Sequence, residues 1–123
     1  MYNINMLKDS KILIVEDELI HRAISNLINN AIKCSQSDKI DVILSDNKTT
    51  LKIEVKDYGI GIEKKYFERL FEKFFRIDKA RSRKTGGTGL GLAIVKNIIE
   101  LHNGTIHIES ELNKGTNFII ELP

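Results

Sequence analysis

Two pairs of short strand-like runs are the feature that most limits what this chain can fold into. Residues 40–45 (IDVILS) and 51–55 (LKIEV) alternate in polarity, and the Asp, Asn and Thr between them favour a turn. A second pair closes the chain, with Ile106 and Ile108 in one run, Phe118 and Ile120 in the next, and "NKG" near the bend. Each pair predicts an antiparallel hairpin.

Helical periodicity separates these hairpins. From about Leu19, apolar residues recur at three- and four-residue spacing through Ala31, and residues 90–102 (LGLAIVKNIIELH) form a second apolar stretch that Gly104 is placed to end. Residues 12–15 predict a further strand. The fold class is therefore α+β: a two-layer sandwich with a mixed sheet and helices on one face. We assign residues 1–10 to a linker remnant and residues 11–123 to one domain.

Composition excludes several classes of protein. The chain has 123 residues, of which 41% are hydrophobic and 29% charged, as in a soluble domain. Its net charge of +2 argues against nucleic-acid binding driven by bulk charge. The single cysteine, Cys34, permits no internal disulfide and fits a reducing compartment. Since no apolar run approaches the ~20 residues that span a bilayer, we expect no membrane contact by this chain.

The opening run, residues 11–18 (KILIVEDE), raises the alternative of a phosphate-accepting receiver domain. Asp57 lies 40 residues after Asp17, about where a receiver's acceptor aspartate would be. However, a receiver also needs a lysine after its fifth strand, usually followed by proline, and no lysine lies between Lys96 and Lys114, while the only proline is Pro123. The acids after the apolar run instead favour the start of a helix.

A polar face lies on the first predicted helix, in "NLINNAIK". Asn26, Asn30 and Lys33 stand at i, i+4 and i+7, roughly opposite the apolar stripe. Carboxamide oxygens one turn apart can ligate a hard cation, and a lysine one turn further can meet phosphate. A solvated polar face is the alternative, and the spacing alone leaves both open.

Two glycine-bearing segments carry further chemistry. In "DYGIGIE", Asp57 can accept a hydrogen bond from an exocyclic amine while Gly59 and Gly61 let the chain turn under a base; an ordinary Asp-x-Gly turn is the alternative. In "KTGGTGLGLAIVK", glycines lead into a helix whose free N–H groups can bind phosphate, the alternative being a flexible linker. Five basic residues precede this glycine-rich run: Arg76, Lys79, Arg81, Arg83 and Lys84. Together with the glycines, they predict that residues 71–89 form a lid over the phosphates.

In this order and spacing, the motifs closely resemble the ATP-binding catalytic domain of sensor histidine kinases, in the superfamily with the Bergerat fold. "NLINNAIK" resembles the N box, "DYGIGI" the first glycine box, "LFEKFFRID" the F box, and "GGTGLGLAIVK" the second glycine box. "HNGTIHIESELNKGTNFIIELP" resembles the closing hairpin. Each motif alone is weak, but five in order are very specific.

The resemblance implies a role for each matching residue. Asn30 would be the principal magnesium ligand with Asn26 in support, and Lys33 and Arg76 would reach the phosphates of ATP. Asp57 would select adenine through its amine, with Thr116 linked to it through water. The remaining nucleotide-binding positions implied are Gly59, Gly61, Ile62, Phe71, Gly87, Thr88, Gly89, Leu90 and Gly91. Cys34, in place of a frequent tyrosine, and Asn103, in place of glycine, depart from the pattern.

The implied activity is protein-histidine kinase activity with ATP and Mg²⁺. The superfamily's ATPases carry a water-activating glutamate where this chain has Asn26, whose amide cannot take a proton. His21, His102 and His107 lack the surroundings of a phospho-accepting histidine and are interpreted as structural, so the acceptor would lie on a separate dimerisation domain, with a response regulator receiver downstream. The resemblance implies a cytoplasmic domain of a membrane-anchored kinase. A stand-alone serine kinase of the anti-sigma type and a non-catalytic nucleotide-binding module remain as alternatives.

Overall fold

A mixed five-stranded sheet forms the framework of the domain. The computed structural model describes residues 2–5, 17–34, 36–46, 49–77 and 91–123. The strand order is β1-β2-β3-β5-β4, in which β1 and β2 are parallel and every other neighbouring pair is antiparallel. The elements in these residues are β1 (Tyr2–Asn5), α1 (Glu18–Cys34), β2 (Ile40–Asp46), β3 (Leu51–Asp57), a 3₁₀ turn (Lys64–Tyr66), α2 (Gly91–Leu101), β4 (Thr105–Glu111) and β5 (Gly115–Leu122).

Both predicted hairpins are confirmed. Strands β2 and β3 pair from Ile40↔Asp57 to Asp46↔Leu51, and β4 and β5 pair from Thr105↔Glu121 to Glu111↔Gly115. The second hairpin joins the first because β5 also pairs with β3. Asp57 therefore ends an internal strand, beside the bend of the closing hairpin.

The core lies between one face of the sheet and the two helices, which confirms the two-layer architecture. Strand side chains that share a face by register, such as Val55 and Phe118, are almost wholly buried there. The helices contribute the stripes that their periodicity predicted. The buried residues of α1 are Ile20, Ala23, Leu27 and Ala31, and those of α2 are Ala93, Val95, Ile98 and Ile99.

The amino-terminal segment differs from its prediction. Residues 1–10 were assigned to a linker, yet Tyr2–Asn5 pairs with β2 as a parallel edge strand, with Tyr2 opposite Ile40. The physical reason is that β2 would otherwise present an unpaired edge, and the alternating sequence YNIN can fill it. The strand predicted at 12–15 lies outside the described residues, so the boundary between linker and domain stays a prediction.

A carboxylate and an imidazole join the two helices. Asp17 Oδ1 accepts hydrogen bonds from the backbone N–H groups of Leu19 and Ile20, both at 3.0 Å, so Asp17 caps α1. Its Oδ2 lies 2.6 Å from His102 Nε2, and His102 Nδ1 lies 2.7 Å from the Ile98 carbonyl oxygen. Because a carboxylate and a carbonyl can only accept, this geometry suits the doubly protonated imidazolium.

The shifts in pKa agree with that arrangement. The backbone N–H of Ile20 and the imidazole of His102 lower the pKa of Asp17, while the Ile98 carbonyl and Asp17 raise the pKa of His102. Asp17 and Glu18 thus begin α1, as predicted, and His102 has a structural contact between the helices.

At the end of α2, Asn103 adopts the left-handed conformation that glycine commonly takes after a helix. Asn103 adopts φ 60°, its N–H donates to the Glu100 carbonyl, and the N–H of Gly104 donates to the Ile99 carbonyl at 2.9 Å. This is a Schellman motif. Gly104 is needed for close approach instead, because an added Cβ would lie 2.6 Å from the Glu121 carbonyl oxygen.

We expect His102→Ala to destabilise the domain in a pH-dependent way. The contribution of His102 is complete below its ordinary pKa of 6.5 and is lost as pH rises through its raised folded-state pKa. The contribution of Asp17 is complete above its ordinary pKa of 3.8 and is lost as pH falls through its lowered folded-state pKa. Denaturant unfolding should therefore give the largest loss, about 1 kcal/mol, between those two values.

The matched control is His107→Ala, which removes an exposed imidazole from β4. It should not reproduce the loss of stability that His102→Ala shows at pH 5, because it leaves the contact between Asp17 and His102 intact. A loss in His102→Ala that is the same at pH 5 and pH 9 would contradict the ionic contact.

Candidate nucleotide-binding site

A buried carboxylate forms the centre of the candidate site. Asp57, the last residue of β3, is 4% exposed. Its Oδ1 accepts hydrogen bonds from the N–H groups of Gly59 at 3.0 Å and Thr116 at 3.3 Å. Burial raises the pKa of Asp57, and these two hydrogen bonds oppose that effect. Since both bonds use one oxygen, the lone pairs of Oδ2 can serve a ligand.

The loop after Asp57 is held against the closing hairpin. Ile62 N–H donates to Ser110 Oγ at 2.8 Å, and Asn113 N–H donates to the Ile60 carbonyl at 2.8 Å. Gly61 has φ 72°, and an added Cβ would lie 2.1 Å from the Glu111 carbonyl oxygen. The hairpin alone therefore requires glycine at position 61, while the contact of Gly61 with a base stays a prediction.

Two residues of this region were missed by sequence analysis. Gly115 has φ 118°, and an added Cβ would lie 2.1 Å from the Asp57 carbonyl oxygen. Ser110 Oγ donates to the Gly115 carbonyl at 2.9 Å and lies 2.8 Å from Thr116 Oγ1. The one available signal was the glycine of "NKG" directly before Thr116, whereas nothing in the sequence singled out Ser110.

Tyr58 fixes the start of the same loop to β2. Its hydroxyl donates to Asp41 Oδ2 at 2.6 Å, which raises the pKa of Tyr58, and its N–H donates to Ser37 Oγ at 3.1 Å. The ammonium groups of Lys39 and Lys56 lie 5.1 and 5.3 Å from the ring centroid. The loop is thus attached on both sides, to β2 by Tyr58 and to β4 by Ile62.

On the predicted polar face of α1, the two asparagines lie beside the buried stripe and not opposite it. Asn26 and Asn30 are partly buried and Lys33 is exposed, while Leu27 and Ala31 face the core. The side chain of Cys34 lies outside the described part of the chain. The two asparagines therefore share one partly exposed face, and their contact with a ligand stays a prediction.

Phe71 and Arg76 belong to the segment after the 3₁₀ turn. The Phe71 ring meets Phe118 edge-on at 6.3 Å, and Lys96 Nζ lies 5.7 Å from its centroid. The ring thus anchors the segment to β5 and α2, and its contact with nucleotide stays a prediction. Arg76 is partly exposed near the end of this segment, and its approach to phosphate stays a prediction.

Much of the predicted phosphate-binding loop lies outside the described residues. This applies to residues 78–90, which include Gly87, Thr88, Gly89 and Leu90, and so to most of the predicted lid. Gly91 is described and begins α2. An added Cβ there would meet nothing within 4 Å, so packing in the described residues gives no reason for glycine at this position.

The residues present fit a magnesium ion bound together with phosphate. No group of three or more His, Cys, Asp or Glu residues in the described ranges could hold a metal by itself. Asn26 and Asn30 are partly exposed, and an amide oxygen is a hard ligand of the kind that magnesium takes. Magnesium often binds through a few protein oxygens together with water and substrate phosphates, which matches this donor set.

The mixed sheet covered by helices on one face is the two-layer architecture of the Bergerat fold, as in the catalytic domains of histidine kinases. The family model described as "Histidine kinase-, DNA gyrase B-, and HSP90-like ATPase" matches residues 15–123. The chain belongs to this family, which confirms the resemblance inferred from its motifs.

Within this family, the chain is similar to histidine kinases. The chain is 49% identical over 110 residues to the sensor-like histidine kinase SenX3 of Mycolicibacterium smegmatis, covering 88% of this chain and 28% of that protein. The catalytic domain of histidine kinase ThkA superposes with a TM-score of 0.71 at 34% identity, covering 85% and 67% of the two chains. Full-length ShkA shares the fold with a TM-score of 0.75 at 24% identity, covering 99% and 24%.

The chain thus corresponds to the ATP-binding catalytic domain of sensor histidine kinases and spans under a third of the length of SenX3. Within the described ranges, neither helix has the length and apolar character that crossing a bilayer demands.

We expect Gly115→Ala to destabilise the free domain by about 2 kcal/mol or more, because φ 118° strains any side chain and the new Cβ would clash with the Asp57 backbone. The control is Gly91→Ala, at a helix position with open space, which should be neutral or stabilising. Thermal and denaturant unfolding without nucleotide measure both. Equal effects of the two substitutions would contradict the close approach.

Proposed function

We propose that this chain binds ATP with Mg²⁺ and transfers the γ-phosphoryl group to a histidine on a separate dimerisation domain, from which a response regulator receiver is phosphorylated. The observation that carries the proposal is the buried Asp57, with one carboxylate oxygen held by two backbone N–H groups. A carboxylate fixed in this way has little freedom to adapt. It therefore favours a ligand that offers a hydrogen-bond donor at one position.

Adenine offers that donor. Its exocyclic amine can donate to Asp57 Oδ2, whereas guanine carries a carbonyl oxygen at the equivalent position and would meet the carboxylate with like polarity. Placing an acceptor against a buried acceptor costs more than losing one hydrogen bond. Gly59 and Gly61 leave the loop without side chains at two positions beside Asp57.

The phosphate side of the site is assigned to α1, the F-box segment and the glycine-rich loop. Asn30 and Asn26 would hold magnesium, which would neutralise charge on the phosphoryl group, while Lys33 and Arg76 would approach phosphate oxygens. Among the described residues, an added Cβ at Gly91 would meet nothing within 4 Å, which supports room for a ligand at the start of α2. Because the amide of Asn26 cannot accept a proton, the chain has no general base there for water attack.

The described histidines support a separate acceptor. His102 has both ring nitrogens engaged, by Asp17 and by the Ile98 carbonyl. His21 lies on the exposed face of α1 and His107 on β4. SenX3 is named a sensor-like histidine kinase, and the ShkA structure is a complex with AMPPNP. We also propose that this domain lies in the cytoplasm and belongs to a longer kinase that is anchored in the membrane.

The base-recognition part is tested by binding. The wild-type chain should bind ATP and ADP well and GTP poorly, and Asp57→Asn should weaken adenine binding by about 1 to 3 kcal/mol, the scale for a hydrogen bond to a charged group. Asp38→Asn, in an exposed loop position, is the matched control. Isothermal calorimetry giving equal affinity for ATP and GTP would refute the assignment of Asp57.

The transfer part is tested with labelled ATP. Alone with Mg²⁺, the chain should hydrolyse ATP slowly and acquire no label on its histidines. Mixed with the dimerisation domain of a close relative, it should label that domain's histidine, with low efficiency because no linker raises the effective concentration. Asn30→Ala should lower labelling at least tenfold, since the loss of the principal magnesium ligand would weaken the charge stabilisation of the reacting phosphate.

The control for the transfer assay is Asn97→Ala, which removes an exposed amide from α2. It should leave labelling unchanged. Brisk multiple-turnover ATP hydrolysis by the isolated chain, or stable self-labelling on His21, His102 or His107, would overturn the proposal.

A further inference from the structure

Ser110 lies at the junction of the three pieces of backbone that surround Asp57. It is partly exposed on β4, opposite Thr116 of β5 in the register of the closing hairpin. Its hydroxyl oxygen contacts the Ile62 N–H at 2.8 Å, the Gly115 carbonyl at 2.9 Å and the Thr116 hydroxyl at 2.8 Å. One atom thus touches the loop after Asp57, the start of β5 and a side chain beside the carboxylate.

The polarity of these contacts follows from the chemistry of the partners. A serine hydroxyl has one proton to donate and two lone pairs. The Gly115 carbonyl can only accept, so it takes the one proton of Ser110. The Ile62 N–H can only donate, so it uses one lone pair. In the remaining contact Ser110 can only accept, and Thr116 must donate its hydroxyl proton to it.

The consequence appears on the other side of Thr116. With its proton directed at Ser110, Thr116 Oγ1 presents only lone pairs to its surroundings. The Thr116 N–H is also committed, to Asp57 Oδ1. Asp57 Oδ2 and Thr116 Oγ1 are therefore two hydrogen-bond acceptors. Their residues are joined by the hydrogen bond from the Thr116 N–H to the Asp57 carboxylate. Such a pair accepts from an amine with two N–H groups, directly or through water, and disfavours a carbonyl oxygen.

We propose that Ser110 is a positioning residue for base selection, which orients the Thr116 hydroxyl so that the site presents only acceptors to the base. This inference rests on the proposed adenine nucleotide binding and concerns its selectivity. Without the Ser110 hydroxyl, the Thr116 proton is free to rotate. The site would then gain a donor that a purine carbonyl can use.

The experiment compares ATP with ITP, because hypoxanthine replaces the adenine amine by a carbonyl oxygen without adding a second amine. The measured quantity is the ratio of the dissociation constants for ITP and ATP. Ser110→Ala should lower this ratio roughly three- to tenfold, the range for one net hydrogen bond. Ser110→Cys keeps the shape of the side chain but replaces the hydroxyl with a weak donor and acceptor, and it should also lower this ratio. Ser110→Thr keeps the hydroxyl and should keep the wild-type ratio.

Two controls separate positioning from a general loss of structure. Thr105→Ala removes an exposed hydroxyl from the same strand and should leave the ratio unchanged. In a Thr116→Val background, adding Ser110→Ala should change the ratio less than twofold, since Ser110 acts through the Thr116 hydroxyl. Unfolding curves show that each variant used is folded.

The outcomes distinguish this inference from the proposed function. A wild-type chain that binds neither ATP nor ITP would overturn the proposed function. A wild-type chain that binds ATP and ITP equally would overturn this inference and the assignment of Asp57 to base recognition. A wild-type chain that prefers ATP, with the same ratio in folded Ser110→Ala and Ser110→Cys, would overturn the role of Ser110 and leave the proposed function standing. A fall in the ratio that persists undiminished in the Thr116→Val background would show that Ser110 does not act through Thr116, and would also overturn it.

Discussion

The close approach of two backbone segments, at which no Cβ fits, is the constraint on which the site depends. The chain after β3 passes the bend of the closing hairpin so tightly that Gly61 and Gly115 each face a carbonyl oxygen of the other segment. This proximity lets the Thr116 N–H reach Asp57 from a different strand. A buried carboxylate is expensive unless hydrogen bonds offset its desolvation, and the approach supplies one of the two bonds that do so.

Local periodicity predicted most of the fold. The hairpins and the stripes of α1 and α2 were readable because burial on one face imposes a period of two on strands and of 3.6 on helices. Strand β1 could not be found in this way. Four residues at an edge carry little pattern of their own, and their pairing depends on the free edge of β2, which exists only once the sheet has formed.

Residues of the candidate site could be predicted where an unusual residue type or spacing marked them. They could not be predicted where their importance depends on a contact with a residue far away in the sequence. Asp57, Asn26 and Asn30 stood out by type and spacing. Ser110 did not, because serine in a strand is unremarkable until the register sets it opposite Thr116. Gly61 was noticed for a contact with a base, yet the structure requires glycine there for the hairpin. The His102 contact with Asp17 likewise joins residues that no local pattern relates.

The contacts of the Tyr58 side chain affect the ultraviolet absorption and emission of the domain. The chain contains no tryptophan and three tyrosines, so tyrosine dominates its near-ultraviolet absorption and emission. Tyr58 directly follows Asp57, with its hydroxyl bound to Asp41 and two ammonium groups close to its ring. The electronic environment of this phenol depends on how the loop is held between β2 and the closing hairpin. The domain therefore carries a native chromophore at the edge of its candidate base site, and changes in that loop can be followed without an added label.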